Sequence, residues 1–210
     1  MPAFTWDLPA AIKAAHPSLK VRLFADDLLF TAPTREAIAK GLEALQTWSE
    51  ENGLAVNTEK TKIMKFRRGG RCASMDVLEF NGHPLSMTNS YTYLGVTFQT
   101  TCCFTEHIKN VVVRATRATF SLPNPYKLSI QAGVKLFNIK IRPILTYALE
   151  PTWSHLKTTN LHALDRAKTT FLKRMLSLPS SASNTMVLAM CRQETLVEGL
   201  LQTMNLSVNA

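Results

Sequence analysis

The chain has 210 residues, 46% of them hydrophobic, with 24 Lys and Arg against 15 Asp and Glu, a formal charge of +9 and a pI near 9.6. This is enough chain to bury a core in one or two domains. No apolar run approaches the ~20 residues that span a bilayer, and the N-terminus lacks a charged-then-apolar export pattern, so neither a membrane nor a secretory role is expected. The four cysteines, Cys72, Cys102, Cys103 and Cys191, show no paired metal-ligand spacing. Cys102 and Cys103 with His107 would lack a fourth zinc ligand, so reduced thiols in an intracellular protein, nuclear or cytoplasmic, are expected.

In chain order, residues 21–30 read VRLFADDLLF. Apolar residues on both sides of Asp26 and Asp27 predict a β-hairpin that drives two carboxylates to its tip. Adjacent like charges repel and favour a counter-cation. Mg²⁺ suits such oxygen donors and is commonly held by one or two carboxylates plus substrate phosphates. Two ions about 4 Å apart clamp the attacking and leaving oxygens in nucleotidyl transfer. A solvated turn is the ordinary alternative for such a pair.

A helix follows, with Thr34 as its N-cap, Ile38, Leu42, Leu45 and Trp48 or Ser49 at helical spacing, and Asn52-Gly53 as its stop. A polar turn then leads into a strand ending near Phe66. Asn81-Gly82 between residues 77–80 and 83–87 is a strong hairpin signal, and residues 91–98 read as a further strand. Beyond residue 100 helices dominate. One carries Ile108, Val111, Val112, Ala115 and Ala118, is capped by Thr105 and ends at Pro123 and Pro125. A second runs from Ser129 through Val134, Phe137 and Ile141, kinked or broken by Pro143. A third carries Leu161, Leu164, Phe171, Met175 and Leu178, and residues 183–204 form one or two short helices. The expected class is α+β, becoming helical near residue 100.

The basic residues cluster. Lys60, Lys62, Lys65, Arg67, Arg68 and Arg71 lie together, and residues 104–178 hold twelve Lys and Arg against Glu106, Glu150 and Asp165. A one-sided cationic surplus on helices is the footprint of phosphate tracking; a solvated helical surface has the same composition.

Three pieces in order and spacing carry a resemblance: FADD at residues 24–27; Trp48, Asn52, Gly53, Leu54, Val56, Asn57, Lys60, Thr61 and Lys62; and Tyr93, Leu94, Gly95 and Val96. Together they resemble reverse transcriptases of non-LTR (LINE-type) retrotransposons. Residues 141–147 (IRPILTY) and 164–168 (LDRAK) resemble the region after the palm in the same polyproteins, so the likeness runs from about residue 6 to about residue 178.

That resemblance implies a partial polymerase palm over residues 1–98, an antiparallel sheet with the FADD hairpin and a packed helix. A helical thumb-like bundle over 99–178 and a helical tail over 179–210 follow. It implies RNA-directed DNA polymerase chemistry with Mg²⁺ or Mn²⁺, an RNA template, a DNA primer and deoxynucleoside triphosphates. Asp26 would be the direct metal ligand, Asp27 a secondary ligand or a solvated turn carboxylate, and Lys60 either the cation for the leaving pyrophosphate or a surface lysine. Tyr93, Leu94 and Gly95 correspond to the primer grip, with Gly95 allowing close backbone approach and Leu94 in the core. Lys62, Lys65, Arg67, Arg114, Arg117, Lys168 and Lys173 would meet nucleic acid. Asn57 is expected to order its turn, and Trp48 to anchor the core rather than stack on a base. The family's metal site needs a further aspartate on an earlier palm strand, whereas only Asp7 is acidic before Asp26. The expectation is a polymerase piece beginning inside the palm and inactive by itself; a non-catalytic nucleic-acid-binding remnant of a retroelement is the alternative.

Overall fold

A computed structural model describes residues 6–67 and 77–208, with side chains through residue 204. Arg68, Arg71 and Cys72 lie outside the described residues. The chain divides into two compact units, Met1–Lys65 with Gly70–Asn89, and Phe66–Gly69 with Ser90–Ala210.

In the first unit, α1 (Leu8–Ala15) precedes the hairpin β1 (Lys20–Phe24) and β2 (Asp27–Thr31), and α2 (Arg35–Glu51) packs behind them. Thr34 caps α2 as its extended backbone and hydroxyl dictate: Oγ1 accepts a hydrogen bond from the Ala37 amide at 3.3 Å. At the other end the Asn52 amide donates to the Trp48 carbonyl, and Gly53 takes φ +62°, the left-handed conformation that glycine adopts without a Cβ clash. The buried stripe of α2, Ala37, Gly41, Leu42, Leu45, Trp48 and Ser49, keeps helical period. It meets Leu8, Ile12, Leu19, Leu78, Phe80 and Leu85 in one core. Gly41 is buried there because a Cβ would come within 3.0 Å of the Phe30 ring; its absence lets the helix lie close on the hairpin. Trp48 is buried, as its place in the stripe predicts.

The strands correct the expected sheet. Among the described residues they pair as four separate two-stranded ladders rather than one antiparallel sheet. β3 (Lys62–Ile63) runs parallel to β6 (Ser86–Met87), and β4 (Glu79–Phe80) turns through Asn81-Gly82 into β5 (His83–Pro84). Both turn residues have positive φ, 49° and 71°, as a type I′ hairpin requires.

The second unit opens with β7 (Ser90–Tyr93) and β8 (Val96–Gln99). The single strand expected over residues 91–98 is therefore a hairpin, and Leu94, expected in the core, sits in its turn, 37% exposed. Leu94 and Gly95 have φ 47° and 77°; two consecutive left-handed residues reverse the chain, which no strand can contain.

α3 (Thr105–Ser121) follows. Its N-cap is Phe104, not Thr105, and no capping side chain comes from the cap residue itself; the Glu106 amide is instead satisfied by Gln99 Oε1 at 2.9 Å. α4 (Ile130–Leu136), capped by Ser129, continues through a π-helical stretch, Phe137–Ile141, into α5 (Arg142–Thr146). Pro143 thus neither ends the helix nor leaves a gap: the wider turn ahead of it absorbs the residue that cannot donate a backbone bond. Then come α6 (Leu149–Thr152), α7 (Thr158–Met175), α8 (Asn184–Cys191) and α9 (Leu196–Val208). The core of this unit runs from Ile108, Val111 and Ala115 through Phe137, Ile141 and Leu145 to Leu164, Phe171, Leu172 and Val187. α8 and α9 take part in it through Val187, Cys191 and Leu196. The molecule is a mixture of helices and small sheets, an α+β architecture. Among the described residues no helix is long and apolar enough to cross a membrane.

Candidate functional site

The candidate residues are distributed over both units. In the first, Phe24 and Asp27 close the β1–β2 ladder around the two-residue turn of Ala25 and Asp26. Ala25 carries φ 54°, a conformation that costs a residue with a Cβ. The strands alternate: Val21, Leu28 and Phe30 pack on the core, whereas Lys20, Arg22, Phe24, Asp27, Leu29 and Thr31 are exposed. Phe24 is 61% exposed beside Asp27, so the hairpin's outer face carries apolar, acidic and, through Lys20 and Arg22, basic side chains. Asp26 is exposed at the turn, and among the described residues no ion pair involves either carboxylate.

The donor chemistry fits a hard divalent cation, because two accessible carboxylates that form no ion pair among the described residues offer adjacent oxygen donors. The donor count does not complete a site: among the described residues no group of three His, Cys, Asp or Glu side chains converges anywhere. Further oxygens would have to come from phosphates, water or other carboxylates.

Lys60 is exposed in the turn that follows Asn57. Asn57 builds that turn, as expected: Oδ1 accepts from the Lys60 amide at 3.0 Å, and its carbonyl accepts from the Thr61 amide and hydroxyl at 3.0 and 2.8 Å. Lys62 is exposed, with Nζ donating to Ser86 Oγ at 2.7 Å, and Lys65 is exposed. Arg67 belongs to the second unit, where its amide bonds the Thr100 carbonyl at 2.8 Å.

The Leu94–Gly95 turn of the second unit is anchored by Tyr147 and His107, neither of which the sequence connected with this turn. The Tyr147 hydroxyl donates to the Leu94 carbonyl at 2.6 Å, and a Cβ on Gly95 would meet the Tyr147 ring at 3.3 Å. The Tyr147 carbonyl in turn lies 3.3 Å from Nε2 of His107, whose Nδ1 accepts from the Thr97 amide at 3.4 Å. His107 is therefore neutral with its proton on Nε2, linking β8 of the hairpin to the end of α5. It is fully buried, and burial holds its pKa below the ordinary imidazole value; the Tyr147 carbonyl opposes that shift and the Arg114 charge adds to it. A hydroxyl and amide chain completes the support: Thr92 Oγ1 lies 3.1 Å from Thr97 Oγ1, which accepts from Asn110 Nδ2 at 3.2 Å.

The helical cations do not share one fate. Arg114 and Arg117 are exposed on α3, away from its buried stripe of Ile108, Val111 and Ala115. Lys173 is half-buried and bonds the Ser180 carbonyl at 2.8 Å. Lys168 corrects the expectation of a phosphate contact. It is 6% exposed, Nζ donates to the Glu194 carbonyl at 2.7 Å, and the ammonium lies 5.8 Å from the Phe137 ring centre. Burial pulls its pKa down, partly offset by Glu194. Its position on the inner face of α7, beside Ala167 and Phe171, turns it from solvent.

Residues 3–98 match the family described as reverse transcriptase (RNA-dependent DNA polymerase). Over those residues, a little under half of its length, the chain is similar to reverse transcriptases. Its curated relatives are proteins of mobile and retrotransposable elements. The RNA-directed DNA polymerase from mobile element jockey of Drosophila funebris is 29% identical over 161 residues, covering 70% of this chain and 17% of that protein. The same-named protein of Drosophila melanogaster is 26% identical with equal coverage. A putative 115 kDa protein in type-1 retrotransposable element R1DM of Drosophila melanogaster is 29% identical over 121 residues, 54% of this chain and 12% of that protein. The jockey alignments cover more of the chain than residues 3–98, so the likeness continues into the helical unit. The chain spans less than a fifth of the length of these relatives. No solved structure matches.

Proposed function

We propose that this chain is a palm and thumb-like segment of a LINE-type retrotransposon RNA-directed DNA polymerase, extending a DNA primer on an RNA template. The observation that carries the reading is the exposed FADD turn: two carboxylates, in no ion pair among the described residues, at a hairpin tip within the stretch that matches the family. Asp26 and Asp27 would hold Mg²⁺ or Mn²⁺, which when bound supplies Lewis-acid stabilisation of the transferring phosphoryl group and its leaving pyrophosphate. Lys60, whose amide is held by Asn57 and whose side chain is exposed, adds positive charge for the triphosphate. The Tyr93–Leu94–Gly95 turn receives the primer end on exposed backbone, and Arg114, Arg117, Lys62 and Lys65 contact phosphates.

Two carboxylates do not make a two-metal site, and among the described residues no third acid joins them. On this reading the 210 residues alone do not extend a primer. That observation also favours a second reading, a nucleic-acid-binding remnant without catalysis. A primer-extension assay on poly-rA with Mg²⁺ separates the two when the preceding palm and fingers of a jockey-type enzyme are supplied in trans. Restored extension that disappears with Asp26→Ala supports the polymerase; binding without extension supports the remnant. Extension by the isolated chain would refute the incomplete-site argument.

A further inference from the structure

From the hydrogen bonds around the second hairpin we infer that Tyr147, held in place by His107, is a positioning residue for the primer-receiving turn. This rests on the reading of residues 93–95 as the primer site.

The reasoning starts with the turn's own weakness. A two-residue turn with φ 47° at Leu94 asks a side-chain-bearing residue to hold a left-handed conformation, which is costly without outside support. β7 and β8 form a two-stranded ladder, itself marginal in water. A surface that must present a 3′ end to better than an ångström needs a rigid second layer. Tyr147 supplies it. Its hydroxyl fixes the Leu94 carbonyl, its ring edge rests on Gly95 where only hydrogen fits comfortably, and its carbonyl is tied to the buried His107. His107 simultaneously receives the Thr97 amide of β8. The turn is therefore gripped at its apex by a phenol and at its base by an imidazole, both seated on the helical core. Tyr147 remains 47% exposed, so a nucleotide approaching the turn from that side meets its ring.

The test compares binding of the whole chain to two labelled RNA–DNA hybrids, one with a recessed DNA 3′ end and one blunt, by fluorescence anisotropy at low salt. Wild type should prefer the recessed end. Tyr147→Phe keeps the ring against Gly95 and removes one hydrogen bond; it should cut that preference about fivefold while leaving affinity for the blunt hybrid within twofold. Gly95→Ala, read in the same assay, should act in the same direction. A general loosening would weaken both hybrids alike, so the ratio separates positioning from structure. Far-UV circular dichroism checks that Tyr147→Phe folds; should it not, Gly95→Ala decides. A wild-type preference that both folded variants retain would overturn the inference and leave the primer reading standing. Absence of any preference in wild type would remove the primer reading, and the inference with it.

Discussion

Replacing His107 by alanine is the sharpest probe of the second unit. The side chain is fully buried and satisfies two backbone groups, the Thr97 amide at 3.4 Å and the Tyr147 carbonyl at 3.3 Å. Both bonds are long, so leaving each group unpaired falls near the low end of the usual penalty, about 1 kcal/mol apiece. Removing the ring from a packed site adds about 2 kcal/mol for lost contacts and cavity. The expected loss is about 4 kcal/mol, a large share of the ~5–15 kcal/mol that holds a domain together. Proton linkage supplies a second signature. Because burial lowers the folded-state pKa below the ordinary imidazole value of 6.5, the unfolded chain binds more protons than the folded one between those two values. Stability is therefore complete above pH 6.5 and lost as pH falls from there toward the folded value. Urea unfolding followed by far-UV circular dichroism at pH 7.5 and 5.5 measures both effects. A loss under ~1 kcal/mol at pH 7.5 would contradict the reasoning. So would an acid-side loss of equal size in His107→Ala and wild type.

The remaining predictions concern the hairpin, the core and the cations. Ala25→Gly relieves the left-handed strain at φ 54° and should stabilise the first unit by up to about 1 kcal/mol; a destabilised variant would mean that the Ala25 methyl is needed. Asp26→Ala should leave the urea midpoint unchanged, since the carboxylate is exposed and unpaired among the described residues, while abolishing Mn²⁺-induced broadening of amide signals at residues 24–28. Equal broadening in the variant would exclude Asp26 as a ligand. Gly41→Ala forces a methyl against the Phe30 ring and should cost about 1–3 kcal/mol in urea unfolding. Arg117→Ala should weaken hybrid binding and reduce the salt slope by about one, whereas Lys168→Met, whose cation is internal, should leave both unchanged. Equal effects from the two would contradict the buried placement.

Local features were legible because their causes are local. Thr34, Asn52-Gly53 and Asn81-Gly82 act on backbone within a few residues, and each structure they predict is present. The alternation around FADD likewise specifies a hairpin with one core face, since a slip of one residue would bury both charges' neighbours on the wrong side. Residues 91–98 misled because an apolar, aromatic run has strand character on either side of Leu94-Gly95, and a turn with a leucine in it lacks the usual Asn or Asp signal. Lys168 was misplaced because a cation on an amphipathic helix is ordinarily solvated, and its burial depends on a carbonyl 26 positions away.

By itself, then, the order of residues determined the helix caps, the tight turns, the acidic hairpin tip and the kinship with LINE-type polymerases, because each is written in short-range spacing. Tertiary structure alone decided which polar groups meet: Tyr147 with Leu94 over 53 positions, His107 with Tyr147 over 40, Lys168 with the Glu194 carbonyl. Hydrogen bonds of that kind have no periodicity to read. They exist only once apolar burial has brought distant helices and a hairpin together, and only then can a histidine or a phenol take up a position that no neighbouring residue announces.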